Sequence, residues 1–204
     1  RVTDLTPLAG LTQLTMLELR GNQITDVAPL SALVNLKLLD VSDNQITDLS
    51  PLSGLTRLGV LRVSRNATAD ASSLAPLAAN LQEKDFDPMQ PLEQAGQQGG
   101  DANQQNTPEG GQPEAQATLL QPKKPDKVVR IPDAVLEAKI RETLGKPEGD
   151  LTQGDLAQLS ELYVGLEWQE TYPEGTQVQK LDGLEYCLNL RTLDISWNLI
   201  QDLR

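Results

Sequence analysis

Residues 2–67 read VTDLTPLAGLTQLTMLELRGNQ, ITDVAPLSALVNLKLLDVSDNQ and ITDLSPLSGLTRLGVLRVSRNA, three segments of 22 residues that align without a gap. Each segment carries the spacing L-x-x-L-x-L-x-x-N, with valine replacing the third leucine in two of them. The L-x-L stretch alternates inward and outward as a strand does, and one coil of this length cannot bury its apolar face alone. The repeat therefore predicts an α/β solenoid of stacked coils with short parallel strands.

The asparagine that closes each strand segment recurs as Asn22, Asn44 and Asn66. It falls at an inward phase, and a buried amide needs hydrogen-bond partners. We expect these side chains to bond backbone groups of adjacent coils rather than a ligand. Residues 68–86 begin a fourth unit, but its strand positions hold polar residues. A one-residue slip would bring Leu81 and Phe86 inward, so this unit is predicted to be a terminal capping coil.

The 22-residue repeat resembles the short bacterial leucine-rich repeat of the internalin type. The resemblance implies a right-handed solenoid whose strands line a concave recognition face. It also implies a bacterial protein that is secreted or displayed on the cell surface, and we therefore expect an extracellular location.

Residues 87–127 hold six prolines, five glycines and nine glutamines and are predicted to form a flexible linker. A Gln-rich interaction segment is the alternative. Order is expected again in residues 128–164, where Asp133 suits a helix start. This stretch is similar to the helical cap that begins repeat arrays in bacterial secreted and surface proteins. Residues 165–204 then start a second array, interrupted by an insertion at 168–176, and residues 1–86 form the first.

Several classes of function are disfavoured by composition. The net charge of −12 opposes binding to nucleic acid, and no apolar run is long enough to span a membrane. The sequence has no histidine, and its single cysteine, Cys187, occupies a leucine phase and is expected to be a buried core thiol. The glutamates of 161–174 lack calcium-loop spacing. We expect no enzyme activity, no cofactor, no metal and no small-molecule substrate.

The order of the segments is unusual, because a closing coil precedes an opening cap. The strand near Leu193 lacks a following neighbour in sequence, and the strand near Leu17 lacks a preceding one, so two open hydrophobic ends are expected. Three arrangements remain open. The chain is a window of a longer tandem array, or its cap docks on the next molecule, or the linker folds the cap onto its own array. The predicted self-association residues are Val2, Leu5, Leu14, Leu17, Leu19, Leu193, Ile195, Trp197, Ile200 and Leu203.

A second candidate surface is the concave sheet, where residues between the leucines point outward in columns. Its predicted partner-binding residues are Met16, Glu18, Leu38, Asp40, Val60, Arg62 and Trp197. Trp197 is the favoured anchor, because large aromatic residues dominate interface energetics; packing against the array end is its competing role.

The functional hypothesis is a non-enzymatic unit that assembles head to tail into an extracellular fibre or surface layer. The alternative is an adhesion module, a segment of a larger tandem-repeat surface protein that binds another protein. In both, the partner is a protein: another copy of this chain or a different molecule.

Overall fold

The computed structural model of this protein describes residues 5–68, 71–86 and 126–199. Its strands are β1 (Met16–Glu18), β2 (Leu38–Asp40), β3 (Val60–Arg62), β4 (Glu83–Lys84), β5 (Glu161–Tyr163) and β6 (Thr192–Asp194). Its α-helices are α1 (Ala75–Ala78), α2 (Ala134–Leu144) and α3 (Gln153–Leu156). Five short 3-10 helices complete the described elements: Thr6–Leu8, Ala28–Ala32, Ser50–Gly54, Ser72–Leu74 and Leu184–Tyr186.

The strands form one parallel sheet in the order β4-β3-β2-β1-β6-β5. Leu17 lies beside Leu39 and Leu193, and Leu39 lies beside Leu61, so the repeat phases are kept from strand to strand. All four of these leucines are fully buried. The structure confirms the predicted α/β solenoid, with one continuous aliphatic core behind the sheet.

The turn opposite each strand follows from the repeated D-x-x-P motif. Asp26 and Asp48 accept hydrogen bonds from the amides two residues later, of Ala28 and Ser50, at 2.8 Å. The proline then lies in the first turn of the 3-10 helix, where its missing N–H costs nothing. Each coil therefore returns to the sheet within one 22-residue period.

The predicted asparagine ladder is confirmed. The amide group of Asn44 donates to the carbonyls of Leu19 and Val41 at 3.0 Å, and its oxygen accepts from the amide of Ile24. Asn198 makes the equivalent bonds to Val164 and Ile195. Each asparagine therefore joins two adjacent coils through backbone groups that would otherwise be buried without partners.

Different structural elements cover the two ends of the described array. At one end, Asp133 caps α2 by accepting from two helix amides, and its second oxygen accepts from the amide of Gln179 in the first repeat coil. At the other end β4 is displaced by one residue, since Leu61 pairs with Lys84. Asp85 there accepts from the amide of Val63, and Phe86 is buried, as the slipped register predicts.

The expectation of two open hydrophobic ends is wrong for this structure. Strand β6 pairs with β1 of the same chain in full register, so the last coil of the C-terminal segment covers the first coil of the N-terminal one. Without this pairing, each edge would expose leucines and unpaired backbone groups. Pairing the two edges buries the leucines of both and satisfies those backbone groups. The arrangement is the third of the three considered, in which the cap folds onto its own array.

Not all of the predicted self-association residues are described. Val2, Ile200 and Leu203 lie outside the described residues, as does the proposed linker except for residues 126–127. The described members of the set are buried in the array or, for Trp197, half-buried at its edge. The linker boundaries stay a prediction.

Replacing Asn44 by alanine removes three donated bonds and one accepted bond from the buried ladder. We expect a loss of about 2–4 kcal/mol in the free energy of unfolding, because the freed backbone groups stay buried. Asn35→Ala is the control; Asn35 is half-buried and bonds Thr12 and Arg57 at the surface, so its loss should be below about 1 kcal/mol. Equal losses in urea denaturation would contradict the role of the ladder.

Candidate protein-binding surface

Two rows of outward-facing side chains cross the strands at right angles on the open face of the sheet. The apolar row consists of Met16, Leu38 and Val60, which are neighbours in register on β1, β2 and β3. All three are half-buried. They form the floor of a groove of about 610 Å³ that Thr15, Lys37 and Thr192 help to line. The sequence predicted this row, and the structure brings its members together.

The carboxylate row lies two residues further along the chain direction and is offset by one strand. It consists of Asp194, Glu18 and Asp40, in register on β6, β1 and β2. Arg62 continues the row on β3; its guanidinium lies 3.6 Å from Asp40 and 2.5 Å from Glu83. Asp40 is buried and also accepts from the hydroxyl of Ser42 at 2.5 Å. Neither Glu18 nor Asp194 forms a salt bridge within the described part of the chain.

Glu18 is the middle member of the carboxylate row, with a carboxylate on either side. Partial burial raises its pKa above the ordinary value, and the carboxylates of Asp194 and Asp40 on either side raise it further, while Arg62 opposes them. Like charges directly opposite one another on paired strands are destabilising. The row therefore holds negative charge that the fold itself does not neutralise.

Trp197 lies at the edge of the sheet rather than on the concave floor. The guanidinium of Arg20 stands 5.2 Å from the centre of its ring, and Trp197 donates its backbone amide to the carbonyl of Arg20 at 2.7 Å. A Cβ atom on Gly21 would overlap the indole. Trp197 thus packs across the β6–β1 junction, which is the competing role considered for it, and its use as a partner-binding anchor stays a prediction.

A ladder of charges extends from this tryptophan along the edge of the array. Arg20 donates to Asp43 at 2.8 Å, and Arg65 also pairs with Asp43. Burial alone would raise the pKa of Asp43, but hydrogen bonds from Arg65 and Arg20 outweigh that effect and lower the pKa. Sequence reasoning missed these pairs, although the positions after each strand share one phase. Asp43, Arg65 and Trp197 also share a positive φ, as does Gly21.

Exposed aromatic residues lie near the cap end. Tyr163 on β5 is 52% exposed beside Asp194, and Trp168 in the insertion is 65% exposed. The hydroxyl of Tyr172 donates to the carbonyl of Glu167 and accepts from the amide of Gln169, which holds the insertion in a turn. Tyr163 lies at the end of the carboxylate row, a position that the sequence did not reveal.

Metal-binding clusters and membrane-spanning helices are not found among the described residues. No group of three or more Asp, Glu, Cys or His side chains there is arranged to hold a metal ion. No described helix has the length and apolar character needed to cross a membrane. Cys187 is fully buried, as predicted, and burial raises the pKa of its thiol to about 12. This thiol is therefore part of the core.

Comparisons with known proteins agree with the repeat. Residues 34–76 match the family described as Leucine Rich repeats (2 copies), and residues 186–203 match the family Leucine Rich repeat. Internalin C2 from Listeria monocytogenes is 43% identical over 45% of this chain and 44% of its own, with a TM-score of 0.38. An internalin (inlF) from the same species is 39% identical over 43% of this chain and 25% of its own, with a TM-score of 0.38.

The chain thus spans less than half the length of either internalin structure. None of the curated proteins compared with it is significantly similar. Residues 34–76 and 186–203 are leucine-rich repeats, as the residue phases and the two family matches indicate.

Glu18→Gln tests the charge of the carboxylate row. The folded-state pKa of Glu18 is raised above its ordinary value of 4.5, so the folded chain holds this proton more tightly and Glu18 lowers stability as pH rises above 4.5. We expect the glutamine variant to be more stable than the parent at pH 7 by roughly 0.5 kcal/mol and equally stable below the ordinary pKa. Denaturant midpoints at several pH values measure this; a less stable variant at pH 7 would contradict it.

Proposed function

We propose that this leucine-rich-repeat protein is a non-enzymatic, protein-binding module whose partner lies on the concave sheet face. The observation that carries the proposal is the pair of parallel rows described above: an apolar row in a groove and, beside it, a carboxylate row with uncompensated charge. Exposed apolar side chains rimmed by polar ones are typical of protein–protein contacts. The proposed contact residues on this face are Met16, Glu18, Leu38, Asp40, Val60 and Arg62. Trp197, at the edge of the sheet, is proposed as a flanking contact.

Rigidity supports this use of the face. The residues between the row members are buried leucines, and every strand is held on both sides by the sheet except the two at its ends. The backbone of such a scaffold is already ordered, so a partner does not have to offset the entropy of ordering it. The similarity to internalins supports a bacterial protein, and we extend the proposal to a secreted or surface location.

A site-specific photo-crosslinker tests the proposal. Benzoylphenylalanine is placed either at Leu38 in the apolar row or at Val34, which is 51% exposed outside the concave groove. Both variants are checked for folding and then irradiated with surface extracts of bacterial and host cells. We expect a defined product from position 38 that excess unlabelled protein competes away. The same products from both positions, or none from position 38, would contradict a concave binding site.

Head-to-tail self-assembly is the second candidate function. The β6–β1 junction joins two segments that are far apart in sequence, and its contacts are backbone pairing, the Asn22 bond to Ile195 and the stacking of Trp197. Made between copies instead of within one, the same contacts would link molecules in a row that does not close. We infer that fibre formation exchanges this junction between molecules.

A disulfide across the junction separates the two arrangements. Met16 and Thr192 are direct neighbours on β1 and β6, so Met16→Cys with Thr192→Cys places two thiols at adjacent backbone positions. Oxidation of a dilute sample should give a cross-linked monomer on a non-reducing gel. Self-assembly predicts an additional ladder of cross-linked oligomers that grows with protein concentration. If only monomer forms at the highest soluble concentration, exchange of the junction is refuted.

A further inference from the structure

The two rows also indicate what kind of segment the concave face accepts. We propose that the occupant is a basic amphipathic α-helix of the partner protein, laid across the strands. Its apolar stripe covers Met16, Leu38 and Val60, and its basic stripe covers Asp194, Glu18 and Asp40. This inference rests on the proposed function and specifies the chemistry of the partner at the same surface.

The spacing of the rows favours a helix over an extended chain. Neighbouring strands lie about 4.7–4.9 Å apart, so each row advances by this distance per residue. A helix presents one side chain per turn along a stripe, with a pitch of about 5.4 Å. Over three strands the mismatch is roughly 1 Å. An extended segment presents same-side residues about 6.6 Å apart and drifts by several ångströms over the same three positions.

The charge of the face favours a basic helix. Asp40 shares Arg62 with Glu83, but Glu18 and Asp194 have no salt bridge within the described ranges. The pKa of Glu18 is raised by burial and by both neighbouring carboxylates, so a cation placed above it would relieve repulsion as well as gain attraction. A net charge of −12 on the whole chain would speed the approach of a basic partner.

A second feature beside the row is the buried hydroxyl of Ser196. Ser196 follows Asp194 on the same side of the chain and is only 8% exposed, and its hydroxyl is the buried side-chain oxygen for which the described residues supply no hydrogen-bond partner. The equivalent Ser42 donates to Asp40. The hydroxyl of Ser196 therefore lies at the same end of the row as Asp194, which forms no salt bridge within the described residues.

Lysine and arginine suit both rows at once. Their aliphatic stems can lie along the apolar row while the charged ends reach the carboxylate row. Tyr163, exposed beside Asp194, offers a ring face for a guanidinium at the end of the row. On the far side of the apolar row the groove is bordered by Lys37 and Arg57, so only one flank of the helix is expected to be basic.

Two synthetic helices of about 16 residues and identical composition test the inference. In the first, arginines flank a leucine stripe with i, i+4, i+7 spacing; in the second, the same arginines lie on the opposite face. Fluorescence anisotropy should show saturable, salt-sensitive binding of the first to the full chain and at least about tenfold weaker binding of the second. Equal binding of both, or stronger binding of a proline-containing extended control, would overturn the inference.

Variants of the chain locate the bound helix. Glu18→Gln combined with Asp194→Asn keeps side-chain shape and removes two charges, and should weaken binding about tenfold. Glu170→Gln combined with Glu174→Gln, in the exposed insertion, removes the same number of charges and should have no effect. Leu38→Ser should weaken binding by a similar factor, whereas Val34→Ser should not. Binding that survives both concave changes would overturn the inference.

The outcomes separate this inference from the proposed function. If position 38 cross-links a partner but neither peptide binds, the concave site stands and the helical, basic occupant is refuted. If position 38 cross-links nothing, the proposed function fails, whatever the peptides do.

Discussion

Every feature of this protein depends on one constraint: the leucines of a coil are buried only where another coil covers them. The 22-residue period makes each coil present the same aliphatic set at the same height, so coils stack in register and their strands pair. The asparagine ladder meets the polar half of this requirement by bonding backbone groups between the stacked coils. A coil with an uncovered side leaves both leucines and backbone groups without partners.

The junction between β6 and β1 follows from this constraint. Two segments with matching phases each lack a neighbour in sequence, and the structure brings them together within one chain. The consequence is a sheet of six strands with one continuous open face, on which Asp194 from one segment extends the row formed by Glu18 and Asp40 from the other. The carboxylate row of the proposed binding surface is therefore complete only while the junction is formed.

The sequence was sufficient for features that repeat. Phase alone predicted the buried strand leucines, the asparagine ladder, the slip that buries Phe86 and the burial of Cys187. The sequence could not show whether the two edges pair within one chain or between two chains, because either pairing keeps the repeat phases. It also missed the Trp197–Arg20 stack and the exposure of Tyr163, because both depend on which coils become neighbours. The repeat period determines the contacts of residues between successive coils. The contacts at the β6–β1 junction depend on which two coils become neighbours.

Amide hydrogen exchange tests this central claim most directly. The amide of Ile195 donates to the backbone carbonyl of Glu18 across the junction at 2.9 Å. The amides of Leu19 and Val41 donate in the same way to the backbone carbonyls of Asp40 and Arg62 within the first array. These three residues occupy the same phase of the repeat. In dilute solution, the account predicts slow exchange of Ile195 to a degree comparable with Leu19 and Val41. Rapid exchange of Ile195, with Leu19 and Val41 still protected, would show that the edge is open and contradict the account.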